Sequence, residues 1–353
     1  MKVCHFGAYN PEHPRNRIII KGLKKNGVEV FECYDRSSIW LRYPKLLWKY
    51  LKTGKYDVII VGAQGHTSVL LAWLLAKIFR RKLIFDPFIS LYDTAVFDRK
   101  EVDKKSLKAR YYYYLDKLSC ALAAVVIIDT KEHAKYFNIE FNVSKNKIYI
   151  IYIGADDEVF YTRESNKQNK KKITVEFHGT FIPLQGIEYI VHAAKILEKE
   201  EDIIFEIIGK GQTYNQVLEL SKKLNVNNVS FIGWLDYENI PKYIERADIC
   251  LGIFGDTIKA RRVIPNKAFE ILAMKKPLIT GDSPAARKVF KDKENVLLCE
   301  MANPESLAEA ILMLKEDENL RNRIAENGYM LFKERFCLLE IGKEVKKIIQ
   351  SLI

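Results

Sequence analysis

The stretch RRVIPNKAFEILAMKKPLITGD, residues 261–282, holds a helix and a strand in immediate succession. Pro265 and Asn266 are helix-start residues. The run 267–275 has helix length, and PLIT follows at once as an apolar, strand-like segment. A short helix feeding directly into an apolar strand is the repeating half of an α/β sheet. The stretch also carries Arg261, Arg262 and Lys267 at the helix entrance and one acid, Glu270, within about the first turn, where the helix dipole favours a carboxylate. A carboxylate there also suits two hydrogen bonds to the hydroxyls of a ribose. Dipole partner and ribose ligand are both open at this point.

Outward from this stretch the same alternation covers the chain. Strand-like runs lie at 2–8, 28–34, 57–63, 82–87, 123–130 and 147–154, and again at 173–180, 203–211, 229–235, 248–254, 277–282 and 295–300. Their near-continuous Val/Ile content is what parallel strands buried on both faces require. Helical segments separate them, among them 14–26, 66–79 and 105–122, then 186–199, 212–224, 238–246, 267–275 and 304–315, with helices near 317–335 and 338–352 closing the chain. The polar tract TRESNKQNKKK (162–172) has no apolar period and reads as a linker. Two Rossmann-like, doubly wound domains are therefore expected: 1–165, 166–335, and a final helical segment 336–353.

Composition supports this. The 353 residues are 48% hydrophobic and 29% charged, an ordinary globular mix. The net charge is +12, and residues 1–100 alone hold 18 Lys/Arg against 8 Asp/Glu. Such a basic face suits nucleic acid, an anionic membrane, a phosphorylated substrate or solubility alone. Six scattered cysteines form no CxxC pair and read as small core residues of a reducing compartment. No HxxxH and no Asp-x-Asp occurs, so no metal site is expected. MKVCHFGAYN opens the chain with no long apolar core, which predicts no secretory signal. The run SVLLAWLLAKIF (68–79) falls short of the roughly 20 residues that span a bilayer. RYYYYLDK (110–117) reads as core and interface, and nucleic acid is not an expected partner.

In open α/β sheets, ligands bind beyond the C-terminal strand ends, where helix N-termini present free N–H groups. Two such domains facing across a cleft would place the site between them. The first strand is followed by Gly7, with Arg15 and Arg17 beyond; the third by Gly62, Gly65 and His66; the fourth by Asp86. In the second half HGTFIPLQG and GKGQ follow strands, and a lone GxG is weak evidence for a dinucleotide.

With these residues in view, IPNKAFEILAMKKPLITGDSPAARKVF resembles the donor-binding segment of the retaining GT-B glycosyltransferases of the family 4 group (glycosyltransferase group 1). EFHGTFIPLQGIEYIVHAAKIL, FEIIGKGQ and NVSFIGWLDYENIPKYIERADICLGIF resemble the same family, and GLKKNGVEVFEC resembles its opening helix and second strand. The resemblance implies a GT-B fold whose last helix crosses back to the first domain. It implies a nucleotide diphosphate sugar (UDP-, GDP- or ADP-) held by the C-terminal domain, and a glycan or lipid-linked acceptor held by the N-terminal one. Transfer would proceed with retention and without a metal or other cofactor. Glu270 matches the ribose ligand, Leu235 the base reader, Gly179 and Thr180 the phosphate-side loop, and Gly209 and Gly211 the loop beside the nucleotide. The family's glycine pair in the first domain is reduced to Gly7.

Departures from the pattern are specific. Arg262 stands where the family often has its first of two glutamates. Thr180 and Gln185 stand where it has phosphate-binding Arg and Lys. Arg261, Arg262, Lys259 or Lys267 would then supply the charge a diphosphate needs. Asp86 occupies the position of a catalytic-site histidine, which makes Asp86 and His66 the catalytic candidates. The expected setting is cytoplasmic, peripheral at the inner membrane face, in polysaccharide or glycolipid synthesis. Rival readings are an epimerase or hydrolase on the same fold, or a non-catalytic binding subunit of a glycan assembly complex.

Overall fold

The computed structural model describes residues 1–52, 54–162 and 172–353, so most of the tract read as a linker lies outside the described residues. The chain forms two compact units. The first is Met1–Gly154 with Phe336–Ile353, and the second is Ala155–Arg335. The division falls upstream of the join expected at 165, because residues after Gly154 fold with the second unit. Phe160 is fully buried, its ring edge-on to Tyr237 at 5.0 Å.

Each apolar run read as a strand forms one. The first unit is a six-stranded, all-parallel sheet in the order β2-β1-β3-β4-β5-β6. Its strands are β1 (Lys2–Gly7), β2 (Glu29–Tyr34), β3 (Val58–Val61), β4 (Lys82–Phe85), β5 (Val125–Ile128) and β6 (Ile148–Ile150). The second is a six-stranded parallel sheet ordered β12-β11-β10-β7-β8-β9. Its strands are β7 (Ile173–His178), β8 (Ile203–Ile208), β9 (Val229–Ile232), β10 (Ile249–Leu251), β11 (Leu278–Gly281) and β12 (Leu297–Cys299). Burial on both faces holds for central strands such as β3 and β11. It fails for β2, β6 and β9, which are edge strands with one neighbour each and partly wet side chains.

The first unit carries α1 (Pro14–Lys25), α2 (Ile39–Lys52), α3 (Val69–Ile78), α4 (Leu107–Leu122) and α5 (Lys131–Phe141). The sequence reading marks neither α2 nor α5. Pro44 interrupts the pattern of α2. The start of α5 is set by a cap, Thr130 Oγ1 accepting from His133 N at 3.0 Å, and its end by Asn142 in the left-handed region. The second unit adds α6 (Ile187–Ile196), α7 (Tyr214–Lys223), α8 (Ile240–Arg246), α9 (Asn266–Ala273), α10 (Pro304–Glu316) and α11 (Glu318–Arg335). The last helix, α12 (Leu338–Gln350), belongs to the first unit and lies on α1. The contact needs two glycines. A Cβ on Gly342 would stand 2.0 Å from Gly22 O, and one on Gly22 would stand 2.6 Å from Leu338 O. Asn26 Nδ2 then donates to Leu339 O at 2.9 Å, and Lys346 Nζ to Asn26 O at 2.7 Å.

Each sheet has its own apolar core, built on residues such as Phe6, Ile59 and Phe85 in the first unit and Phe177, Phe205 and Leu251 in the second. All six cysteines are buried and free. Among the described residues no helix is long and apolar enough to cross a membrane.

Candidate functional site

In the second unit the strand-end loops after β7 and β8 are knitted together. Gly179 N donates to Ile208 O at 3.0 Å, and Phe181 N to Lys210 O at 3.0 Å. Gly179, Gly209 and Gly211 have φ of +154°, +134° and +156°. A Cβ on Gly209 would stand 1.9 Å from Gly179 O, and one on Gly211 would stand 2.6 Å from Phe181 O. Only glycine lets these loops approach so closely.

Lys267, the second residue of α9, reaches this loop. Its Nζ donates to Gln185 Oε1 at 2.7 Å and lies 3.4 Å from the centre of the Phe177 ring. It occupies the space a side chain at Gly179 would need, 2.8 Å from that Cβ position. Burial pushes the ammonium well below the ordinary lysine range, against the opposing pull of Glu176 and Glu270. Gln185, read as a lost cation, thus holds a cation supplied from α9.

Near Lys267 lies a row of charge of which the sequence reading singled out only Glu270. His178 Nδ1 is 2.9 Å from Glu176 Oε1, and its Nε2 is 3.1 Å from Glu270 Oε2. Tyr237 Oη donates to Glu270 Oε1 at 3.2 Å. Burial alone would lower the imidazole, but the two carboxylates outweigh it and lift its pKa to about 9. His178 is therefore an imidazolium at neutral pH and donates from both nitrogens. Glu270 lies beyond the first turn of α9, so its partners are His178 and Tyr237 rather than the helix end. A signal was present: Glu176 and His178 lie two apart, on one face of a central strand buried along most of its length, and buried charge demands a partner.

Thr180, Gly211 and Arg261 are exposed, while Arg262 and Leu235 are half-buried. Lys259 is buried. Among the described residues no three His, Cys, Asp or Glu side chains are grouped to hold a metal ion.

The first unit places Gly7, His66 and Asp86 at strand ends, but not as the sequence reading has them. Asp86 is fully buried, its Oδ2 accepting from Arg15 Nε at 2.7 Å. Arg15, read from the sequence as charge near the ligand-binding strand ends, is equally buried and donates from one terminal nitrogen to the carbonyls of Ile151 and Tyr152, each at 2.9 Å. Burial pushes the Asp86 carboxyl up more than Arg15 pulls it down. His66 Nε2 lies 3.1 Å from Asp116 Oδ1, off hydrogen-bond alignment, and the His66 ring stands edge-on to Phe85. Asp116 is otherwise spent on Ser90 Oγ and on the Leu91 and Tyr92 amides. Both catalytic candidates are buried side chains: Asp86 is paired with Arg15, while neither ring nitrogen of His66 has a hydrogen-bond partner among the described residues. Gly7, with φ +127°, lies against Ser68, whose Oγ accepts from Ala8 N at 3.0 Å.

Residues 160–330, inside the second unit, match the family model for glycosyl transferases group 1. An uncharacterized glycosyltransferase of Methanocaldococcus jannaschii, MJ1069, is 26% identical over 344 residues, covering 95% of this chain and 85% of that one. The chitobiosyldiphosphodolichol beta-mannosyltransferase of Candida albicans is 25% identical over 315 residues, covering 82% and 66%. Among solved structures, Anabaena HepE in complex with UDP and glucose superposes with a TM-score of 0.75 at 17% identity, covering all of both chains. Sucrose-phosphate synthase of Thermosynechococcus elongatus gives 0.78 at 16%, covering 100% and 99%. At these identities the structural likeness establishes the fold. With two parallel six-stranded sheets and full-length likeness to these structures, the chain has the GT-B fold, and its second unit carries a segment that matches the group 1 glycosyl transferases.

Proposed function

We propose that this protein transfers a hexosyl or related sugar from a nucleotide diphosphate sugar to an acceptor hydroxyl of a glycan or lipid-linked substrate, with retention and without a metal. The observation that carries the reading is Lys267, a desolvated ammonium at the glycine-walled loop, set above the carboxylate of Glu270. A buried cation is costly, and a diphosphate beside it would relieve that cost with charge-assisted hydrogen bonds. Glu270 is the ribose ligand in this reading, aimed by His178 and Tyr237. The amides after Gly179 and Gly209 face the phosphates, Leu235 the base, and Arg261 and Arg262 supply outer charge. The bond from the sugar's anomeric carbon to the diphosphate breaks, the acceptor oxygen bonds to that carbon, and the acceptor proton passes to the leaving phosphate. Lys267 and the loop amides stabilise the charge that develops there.

UDP bound by HepE supports a nucleotide-sugar donor, with UDP-glucose the first to try. Asp86 acts in this reading by fixing Arg15 and the strand ends, not by touching the acceptor. A thermal-shift screen against UDP, GDP, ADP and their sugar conjugates tests the donor, since selective binding stabilises by mass action. Stabilisation by one base, lost in Glu270→Ala, is the expected result. No shift with any nucleotide would refute the reading.

A further inference from the structure

We propose that His13 and Phe88 form a subsite of the first unit that binds the pyranose ring of an uncharged sugar acceptor. The inference rests on the sugar-transfer reading and narrows its acceptor to a sugar ring.

Two loops beyond strand ends build the subsite. In the loop after β4, Phe88 has φ +61°, in the left-handed region that bulky side chains avoid. Ile89 N donates to Pro87 O at 2.7 Å and closes a three-residue turn around Phe88. The positive-φ form of that turn is rare and strained. Such strain persists only where the surroundings over-determine it, and it gathers at ligand clamps.

Here the clamp is the buried ion pair. Asp86, two residues before Phe88, accepts from Arg15 Nε at 2.7 Å, and Arg15 lies two residues after His13. Beyond the turn, Ser90 Oγ donates to Asp116 Oδ2 at 2.7 Å. The pair holds the two loops together and sets the rings of His13 and Phe88 edge-on, 5.0 Å apart at 74°. His13 is the N-cap residue of α1, yet its side chain makes no capping bond. Its Nδ1 is enclosed without a hydrogen-bond partner, which leaves Nε2 for a ligand. Both residues are half-buried, so each still meets water.

Chemistry selects the occupant. The C–H groups of a pyranose carry partial positive charge and settle on the negative face of an aromatic ring. An imidazole nitrogen donates to or accepts from a sugar hydroxyl. Burial first, then Arg15, lowers the His13 pKa to about 4, so the ring is uncharged at neutral pH. An uncharged ring suits a hydroxyl rather than a phosphate.

The test is saturation-transfer NMR on the full chain, without nucleotide, with the methyl glycosides of glucose, galactose, mannose and N-acetylglucosamine. At least one should receive saturation, strongest on the protons of one ring face. Phe88→Gly removes the ring and keeps the turn, and His13→Ala removes the imidazole. Each should weaken glycoside binding about tenfold. Phe88→Tyr keeps the aromatic face and should bind like wild type. All three should melt near wild type and keep any nucleotide-induced thermal shift, because the donor loops belong to the second unit. No saturation of any glycoside, or saturation that neither Phe88→Gly nor His13→Ala weakens, would overturn the proposal. Glycoside binding that these two variants weaken, in a protein that no nucleotide stabilises, would uphold the subsite and refute the donor reading alone.

Discussion

Asp86→Ala should unfold the first unit far more readily than it disturbs any chemistry. The carboxylate and Arg15 are both at 0% side-chain exposure, 2.7 Å apart. Removing the acid strands a buried guanidinium, a change that typically costs about 3–5 kcal/mol. The carbonyls of Ile151 and Tyr152 still bind Arg15, which favours the low end, about 3 kcal/mol. For a unit of this size that lowers the melting temperature by roughly 6–12 °C. Tryptophan fluorescence during urea or thermal unfolding reads the correct unit, because Trp40, Trp48 and Trp73 lie in it and Trp234 alone lies in the other. The pair is also an expensive one, since burial lifts the Asp86 carboxyl against the pull of Arg15. Arg15→Met combined with Asp86→Leu should therefore recover stability to within about 1–2 kcal/mol of wild type. A single variant with unchanged melting and no transfer activity would refute this reasoning and make Asp86 a chemical group.

Gly209→Ala should cost about 3 kcal/mol or more, read as a lowered melting temperature of the second unit, because it combines φ +134° with a 1.9 Å approach to Gly179 O. Lys267→Met should leave folding stability near wild type, since it removes a desolvated charge, yet weaken binding of a nucleotide diphosphate in calorimetry by about tenfold to hundredfold. His178 has a folded pKa of about 9, above its unfolded 6.5, so its contribution to stability is complete below pH 6.5 and lost as pH rises through 9. Lys267, with a lowered pKa, acts in the opposite sense at alkaline pH. The comparison is therefore wild type minus His178→Gln, whose stability difference should shrink by about 3 kcal/mol between pH 6.5 and 9 in denaturant titrations. Arg262→Glu should lower nucleotide affinity if that half-buried arginine faces the diphosphate, and unchanged calorimetric affinity would make it surface.

By itself the sequence determined the architecture, and it did so through period and punctuation. Val/Ile runs of strand length, each followed by a helix, permit little but a parallel α/β sheet, because such strands must be covered on both faces. RRVIPNKAFEILAMKKPLITGD was legible for the same reason: Pro265, Asn266 and the apolar PLIT set α9 and β11 locally. Helix α2 escaped that logic, since its apolar row faces water and Pro44 breaks its pattern. Only the tertiary structure decided what the polar residues do, because charges are assigned by partners distant in the chain. Arg15 and Asp86 read as two separate strand-end residues and are one buried pair across 71 residues. Glu270 read as a dipole partner or a ribose ligand, and its hydrogen bond to His178, 92 residues away, was not legible. Lys267 reaches across 82 residues to Gln185, where a cation had looked lost. A strand or a helix is written in neighbouring residues, whereas a buried charge takes its meaning from whatever the fold sets against it.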